Sequence, residues 1–326
     1  MININVAPKV SVVMSLYNSR KYLREAIDSV LCQTLSDFEF IIIDDGSKDD
    51  SANIVQSYND ARINLISQDN SGLAAALNRG VRLAKGALIA RMDPDDICFP
   101  ERLEKQYEYL HQHPGTMVVG SAARCINENG EELPIISMKM NFDVGELAIP
   151  ESPCIHPTVM FRRSAFEKAG GYCGEMRYGG EDAVLFNKIL SFGVITNLSD
   201  VLMYYRLSSS SMSQKSKAFN ILLRKVVLKK VRGNFIDADQ WERLAQEYQN
   251  SSSKKRMYSL HFYIAKLFLG TDRDDGCFKA RQHLLMALRS SPCSLNIWAY
   301  VISSYMPLAW RLSLNSYLKR QINKLK

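Results

Sequence analysis

Long hydrophobic runs are absent from this chain of 326 residues. No stretch reaches the roughly 18 apolar residues that a membrane-spanning helix needs, and the nearest approach, Ile297 to Trp310, is broken by Ser303, Ser304 and Pro307. Met1 to Val6 brings neither a basic n-region nor an apolar run, so no secretory signal is expected there. The seven cysteines are an odd number and show no CxxC pair and no cysteine–histidine ligand spacing. That argues against a disulfide framework or a zinc site and for reduced thiols in a cytosol. Two glycine signatures are missing as well. There is no GxGxxG dinucleotide fingerprint and no GxxxxGKS/T phosphate loop, so any nucleotide must be held another way.

What is present is ordinary globular material, 46% apolar and 23% charged, with ample core. The length suits two domains, or one large α/β domain with an appendage. The net charge of +7 conceals an asymmetry. Residues 1–214 carry 20 Lys/Arg against 27 Asp/Glu, whereas residues 215–326 carry 21 against seven. The basic character therefore belongs to the C-terminal third and says nothing about the ligand of the first part. A catalytic domain over 1–214 and a basic, helical region over 215–326 are the expected division.

The first part alternates strands and helices. Lys9–Met14 reads as a buried strand, with Asn18 or Ser19 placed to cap a helix whose apolar positions are Tyr22, Leu23, Ala26, Ile27, Val30 and Leu31. Phe38–Ile43 makes a second strand that closes on Asp44-Asp45-Gly46-Ser47, completing a nucleotide-binding βαβ outline. A helix at 51–58, a strand at 63–67 and a helix from Asn70-Ser71-Gly72 to Lys85 follow. Gly72 can leave backbone amides facing an anion, and Arg79 on the same helix is a candidate phosphate partner. Then Ala87–Ala90 runs as a strand into Arg91-Met92-Asp93-Pro94-Asp95-Asp96, and Pro100 opens a helix to His113. Three carboxylates thus share one turn at the carboxyl end of a strand, where open α/β sheets bind ligands. Left unpaired they repel, and a divalent cation carrying phosphate oxygens would satisfy them. The competing reading is a solvated turn that caps the next helix.

Further on, Met117–Ala123 is a strand, Asn129-Gly130 a hairpin turn, and Cys154–Arg163 a strand entering a helix that Gly170-Gly171 stops. His156 lies on that strand, where a structural role competes with a ligand contact. Gly179-Gly180-Glu181-Asp182 opens another helix, its acids in the first turn. Val201–Arg206 is a last strand, Ser208–Ser213 a linker, and everything beyond Lys215 reads as helix.

These blocks, in this order, resemble an inverting glycosyltransferase of family 2. They are Val10–Asn18, Ile43-Asp44-Asp45-Gly46-Ser47, Asn70-Ser71-Gly72-Leu73-Ala74, Met92-Asp93-Pro94-Asp95-Asp96, His156-Pro157-Thr158 with Phe161-Arg162-Arg163, and Glu181-Asp182, so the resemblance covers residues 8–213. It implies the GT-A fold, that of nucleotide-diphospho-sugar transferases: an α/β protein with a Rossmann-like, mostly parallel sheet. The C-terminal helices match only the variable tails of such enzymes. It places Ser15 and Asp45 at the uracil of a UDP-sugar, Asp93 near ribose and diphosphate, and Asp95 on a Mn2+ or Mg2+ ion. Asp182 becomes the general base; Glu181, His156 and Arg79 are added as donor-site candidates from their own places in the chain.

The long processive members of that family carry membrane helices and a Gln-x-x-Arg-Trp element. Neither is found here, which implies one sugar added per encounter. By analogy with cytosolic relatives the acceptor is a saccharide, carried on a lipid diphosphate, in bacterial surface-polysaccharide synthesis. The tail fits this: Trp298, Tyr300, Tyr305, Trp310 and Tyr317 beside Arg311, Lys319, Arg320, Lys324 and Lys326 suit the inner face of a membrane bearing anionic lipid. A cytoplasmic enzyme resting peripherally on that face is the expectation, with no nucleic-acid partner. Two alternatives stand beside it, a sugar-phosphate nucleotidyltransferase and a non-catalytic carbohydrate- or nucleic-acid-binding protein using the basic region.

Overall fold

The computed structural model describes residues 7–143, 152–208, 217–250, 252–270, 275–291 and 294–306. The chain divides into two compact units. One holds Met1–Arg124, Ile136–Arg206 and Leu222–Trp241, the other Cys125–Ile135, Leu207–Ile221 and Glu242–Lys326. The boundary expected at residue 214 lies outside the described residues.

In the first unit β1 (Val10–Leu16), β2 (Phe38–Asp44) and β4 (Leu88–Met92) are buried along their whole length, as near-continuous apolar runs covered on both faces must be. Helices α1 (Leu23–Leu31), α2 (Ser51–Gln56) and α3 (Leu73–Leu83) connect β1, β2, β3 (Ile63–Ser67) and β4. After the short β5 (Ile97–Cys98) come α4 (Arg102–Gln112), β6 (Thr116–Ile126), β7 (Glu132–Ile136) and β8 (Asn141–Phe142). A 3-10 turn at His156–Thr158 then leads to β9 (Met160–Arg162), α5 (Arg163–Ala169), α6 (Glu181–Ile189) and β10 (Val194–Arg206). The sheet runs β3-β2-β1-β4-β9-β6-β10-β5, with β7 on β6 and β8 on β10. Its first four strands are parallel, and β9 enters antiparallel between β4 and β6.

This order positions the site. The chain winds outward from β1 to β2 and β3, then returns to the other side of β1 as β4, in the register Met14 opposite Met92. The strand order reverses between β1 and β4, the kind of switch point at whose carboxyl ends open α/β sheets bind ligands. Leu16 ends β1 there, and Asp93 follows the last residue of β4.

Alternating strand residues supply two core layers. Val12, Met14, Phe40, Ile42 and Ala90 pack with Leu23, Ile27, Leu103 and Leu110 of α1 and α4. Val13, Ile41, Ile43 and Ile89 pack with Ala76, Leu77 and Val81 of α3 and Phe166, Leu185 and Phe186 of α5 and α6. Gly80 lets α3 approach this closely, since a Cβ there would stand 2.5 Å from Val13 Cγ1.

Two local expectations are corrected. Asn18 and Ser19 do not cap α1, which starts at Leu23. Instead Asn18 turns left-handed (φ 52°) and its Oδ1 accepts from the Lys48 amide at 2.8 Å, while its own amide donates to Ser47 Oγ at 3.0 Å. The loops after β1 and β2 are thus laced together. The strand expected over 154–163 shortens to three residues, because Pro157 has no N–H to give a ladder and its segment closes into the 3-10 turn.

Beyond β10 the described residues form α7 (Lys217–Val231), α8 (Ala238–Gln249), α9 (Ser253–Leu269), α10 (Gly276–Ser290) and α11 (Leu295–Ser303). In the second unit Leu260, Ile264 and Phe268 of α9 and Ala280, Leu284 and Ala287 of α10 are buried, and Tyr300 of α11 packs edge-on against Phe262 at 5.1 Å. No described helix is long and apolar enough to cross a membrane. No disulfide joins the six described cysteines.

Candidate active site

Asp93, Asp95 and Asp96 follow β4 directly, and their carboxylate oxygens lie within 4.8 Å of one another. Burial, and then the charge of Asp93, push Asp95 up to about 6. Burial and both neighbours hold Asp96 well above the usual carboxylate range. One Asp96 oxygen accepts from the Arg206 amide at 2.8 Å, and the other is buried with no hydrogen-bond partner among the described residues. An orphaned buried carboxylate oxygen beside two more carboxylates is a poor arrangement for bare protein and a good one for a hard cation with oxygen ligands. The three residues fit Mn2+ or Mg2+.

Arginines that the sequence reading left without a role frame this turn. Arg91 is buried and ion-pairs with Asp93. Arg206 donates from Nε to the Asp95 carbonyl at 2.8 Å, pairs with Glu25 at 2.8 Å and covers the Tyr22 ring. Arg102, fully buried on α4, gives one guanidinium nitrogen to the carbonyls of Arg91 (2.6 Å) and Val159 (3.3 Å). Gln106, one turn later, holds the Thr158 carbonyl at 2.7 Å. Helix α4 therefore clamps from behind both segments that reach the site, the acidic turn and the His156 turn. A signal was present in the sequence. Arg91 is the one charge within the apolar run Leu88–Met92, Arg206 closes the run Val201–Arg206, and a buried charge must be paired.

The second group of site residues lies within reach of the Arg91 charge, which acts on His156, Tyr172, Glu181 and Asp182. Glu181 and Asp182 open α6 behind Gly179 and Gly180, both left-handed. A side chain at Gly180 would be strained in that conformation and would meet Val227 Cγ2 at 2.7 Å, so the loop admits little else. Burial, with Asp182 beside it, raises Glu181 to about 8, and burial raises Asp182 too. The charges of both residues also act on Arg91's neighbour Tyr172. His156 Nε2 bonds Tyr172 Oη at 2.8 Å, and its Nδ1 lies 3.8 Å from Glu181 Oε1. Burial, reinforced by Arg91, holds His156 well below its ordinary value. At neutral pH His156 is thus neutral and Glu181 protonated, and their approach is a polar contact rather than an ion pair. Asn78 of α3 fixes Tyr172 through both its amide and its carbonyl at 2.9 Å each.

Asp45 is placed otherwise. Its carboxylate is buried and accepts from the amides of Ser71 (2.9 Å) and Gly72 (2.8 Å) and from Gln68 Nε2 (2.7 Å). The anion at the start of α3 is therefore the protein's own, which satisfies the helix's free amides and ties the β2 loop to it. Arg79 donates to Gln68 Oε1 at 2.9 Å and so supports Asp45 at one remove. Ser15 is buried near the end of β1, opposite Ile43, between the Asp45 loop and the acidic turn.

An acidic turn that fits a hard cation, placed after β4 where the strand order reverses, and an acid-bearing helix start near the same buried arginine suit the GT-A architecture. Solved structures of that architecture agree. S. aureus TarS 1-349 in complex with UDP-GlcNAc superposes with TM-score 0.55 at 20% identity, over 94% of this chain and 87% of that one. The mannosyltransferase PcManGT from Pyrobaculum calidifontis, in complex with GDP-Man and Mn2+, gives 0.54 at 17% identity over 96% and 85%. At these identities the likeness establishes the fold. Sequence relatives go further. The O-antigen biosynthesis glycosyltransferase WbnJ of Escherichia coli is 35% identical over 245 residues, 72% of this chain and 95% of its own. The amylovoran biosynthesis glycosyltransferase AmsE of Erwinia amylovora is 34% identical over 232 residues, 68% and 85%. The model of glycosyl transferase family 2 matches residues 11–170. The chain belongs to glycosyltransferase family 2.

Proposed function

We propose that this enzyme moves a sugar from a UDP-sugar to a hydroxyl of a saccharide acceptor, with inversion, in the assembly of a bacterial surface polysaccharide on a lipid-diphosphate carrier. The observation that carries the reading is the acidic turn with its orphaned Asp96 oxygen, set at the switch point and linked through Arg91 to the Glu181–Asp182 helix start. The relatives' roles in O-antigen and amylovoran synthesis support the product class, and the UDP-GlcNAc held by TarS supports the donor.

Asp95 and Asp96, with Asp93, would hold Mn2+ or Mg2+, which when bound supplies positive charge for the departing diphosphate. Arg91 restrains Asp93, and Arg102 and Gln106 restrain the backbone beneath it, so the turn meets the donor in one geometry. Asp182 accepts the proton of the acceptor hydroxyl as that oxygen attacks the anomeric carbon. The bond from that carbon to the diphosphate breaks on the opposite face, its electron pair leaving with the diphosphate. Neutral His156 and protonated Glu181 add no second negative charge beside Asp182.

The donor base is tested by calorimetric titration with UDP and with GDP, each with and without manganese. UDP should bind at least tenfold more tightly with manganese than without, and more tightly than GDP. Preference for GDP would overturn the donor assignment, and manganese-independent heats would overturn the metal's place in it.

A further inference from the structure

From Gly276 to the last residue, Lys326, the sequence contains no aspartate or glutamate, against eight lysines and arginines. Within that stretch α10 and α11 have already spent one face on the core of the second unit: Ala280, Leu284, Ala287 and Leu288 of α10 and Ile297 and Tyr300 of α11 are buried. Their other face is apolar as well. Phe278 (60% exposed), Leu285 (55%) and Met286 (41%) recur at helical spacing along α10, and Trp298 (48%) and Ile302 (58%) along α11, with Tyr305 (70%) just beyond it. The Arg281 guanidinium lies over the Tyr305 ring at 4.4 Å, which brings the end of α11 beside α10 and joins the two rows into one surface. Arg281 and exposed Arg289 flank it, and Lys279 pairs with Asp275, one residue before the acid-free stretch begins.

A water-facing helix surface mixes charges of both signs, and contiguous exposed apolar side chains mark a binding face. We infer that the α10–α11 face docks on a bilayer containing anionic lipid, with Phe278, Leu285, Ile302 and Tyr305 entering the headgroup layer and Arg281 and Arg289 at its phosphates. The charge selects this occupant. An acid-free cationic segment repels a second copy of itself, whereas anionic headgroups attract it and interfacial rings suit that depth. Tyr300, which the composition alone would count among the membrane residues, is buried against Phe262 and takes no part. The inference stands apart from the identity of the donor sugar and of the acceptor.

Vesicle co-sedimentation of the full chain tests it, using phosphatidylcholine with and without phosphatidylglycerol. At low salt the protein should sediment with the anionic vesicles, at least tenfold better than with phosphatidylcholine alone, and molar salt should remove most of that preference. Phe278→Ser, Leu285→Ser and Ile302→Ser combined should lower binding at least tenfold while UDP affinity and circular dichroism stay unchanged. Should that variant unfold, Arg289→Glu alone, at an exposed site, gives the same reading, because reversing its charge should lower the anionic preference. Equal sedimentation of wild type and variants would overturn the inference. So would a dimer in analytical ultracentrifugation that the triple variant dissociates without any vesicle binding, which would make the face a self-association surface.

Discussion

Asp95→Asn abolishes metal-dependent transfer and leaves the protein at least as stable as the wild type when no metal is present. Both parts follow from one piece of electrostatics. In the folded chain burial and Asp93 keep the proton on Asp95 up to about pH 6, against 3.8 for the free side chain. Between those values the native state holds a proton that the unfolded state has lost, so stability falls as pH rises through the window. Asparagine removes that penalty. It also removes a ligand, and withdrawing the charge stabilisation of the diphosphate should cost several kcal/mol of transition-state stabilisation, a rate loss of about a hundredfold or more. Thermal unfolding gives the independent reading. A ligand at a hundred times its dissociation constant adds about 2.7 kcal/mol of stability, so manganese should raise the wild-type melting temperature and not that of the variant. A variant that retained both activity and the manganese shift would remove Asp95 from the metal.

Asp182→Asn should bind UDP as the wild type does and lose turnover by about a hundredfold to ten-thousandfold, the span of general-base catalysis. Burial raises Asp182 above the ordinary carboxylate value. Because the base works ionised, the wild-type rate should rise with pH through a limb lying above the ordinary carboxylate range, and that limb should vanish in the variant. Glu181→Gln is the control. At neutral pH Glu181 carries its proton, so an amide of the same shape should preserve most of the rate. Steady-state kinetics with calorimetry separates the cases. If UDP affinity fell as far as turnover did, Asp182 would belong to donor binding instead of base catalysis.

Much of this site was legible because its chemistry is local in sequence. The acidic turn is four consecutive residues, Asp93–Asp96, directly after a buried strand, and Gly179-Gly180-Glu181-Asp182 announces a helix start that approaches something closely. The wound half of the sheet was legible for a similar reason: Val10–Leu16 and Phe38–Asp44 are apolar without alternation, the mark of strands covered on both faces. What escaped was set by tertiary contact. Asp45 and the Ser71–Gly72 amides are some 26 residues apart, and nothing in either segment says that one anion satisfies the other. Arg102 sits in a helix whose pattern would accept a surface arginine there, yet it is buried on the backbone of β4 and of the His156 turn. Tyr172 follows a glycine pair that reads only as a helix stop. Its partnership with His156 exists because Asn78, on α3, holds the tyrosine's backbone in place.

The central claim is a single displacement, with Asp182 on the acceptor side and the metal on the leaving-group side. The anomeric configuration of the product tests it most directly. With an α-linked UDP-sugar and a soluble acceptor, proton NMR taken early in the reaction should show the anomeric coupling constant of a β-glycoside. An α-linked product, formed with retention, would require a covalent intermediate or front-face attack and would contradict the account.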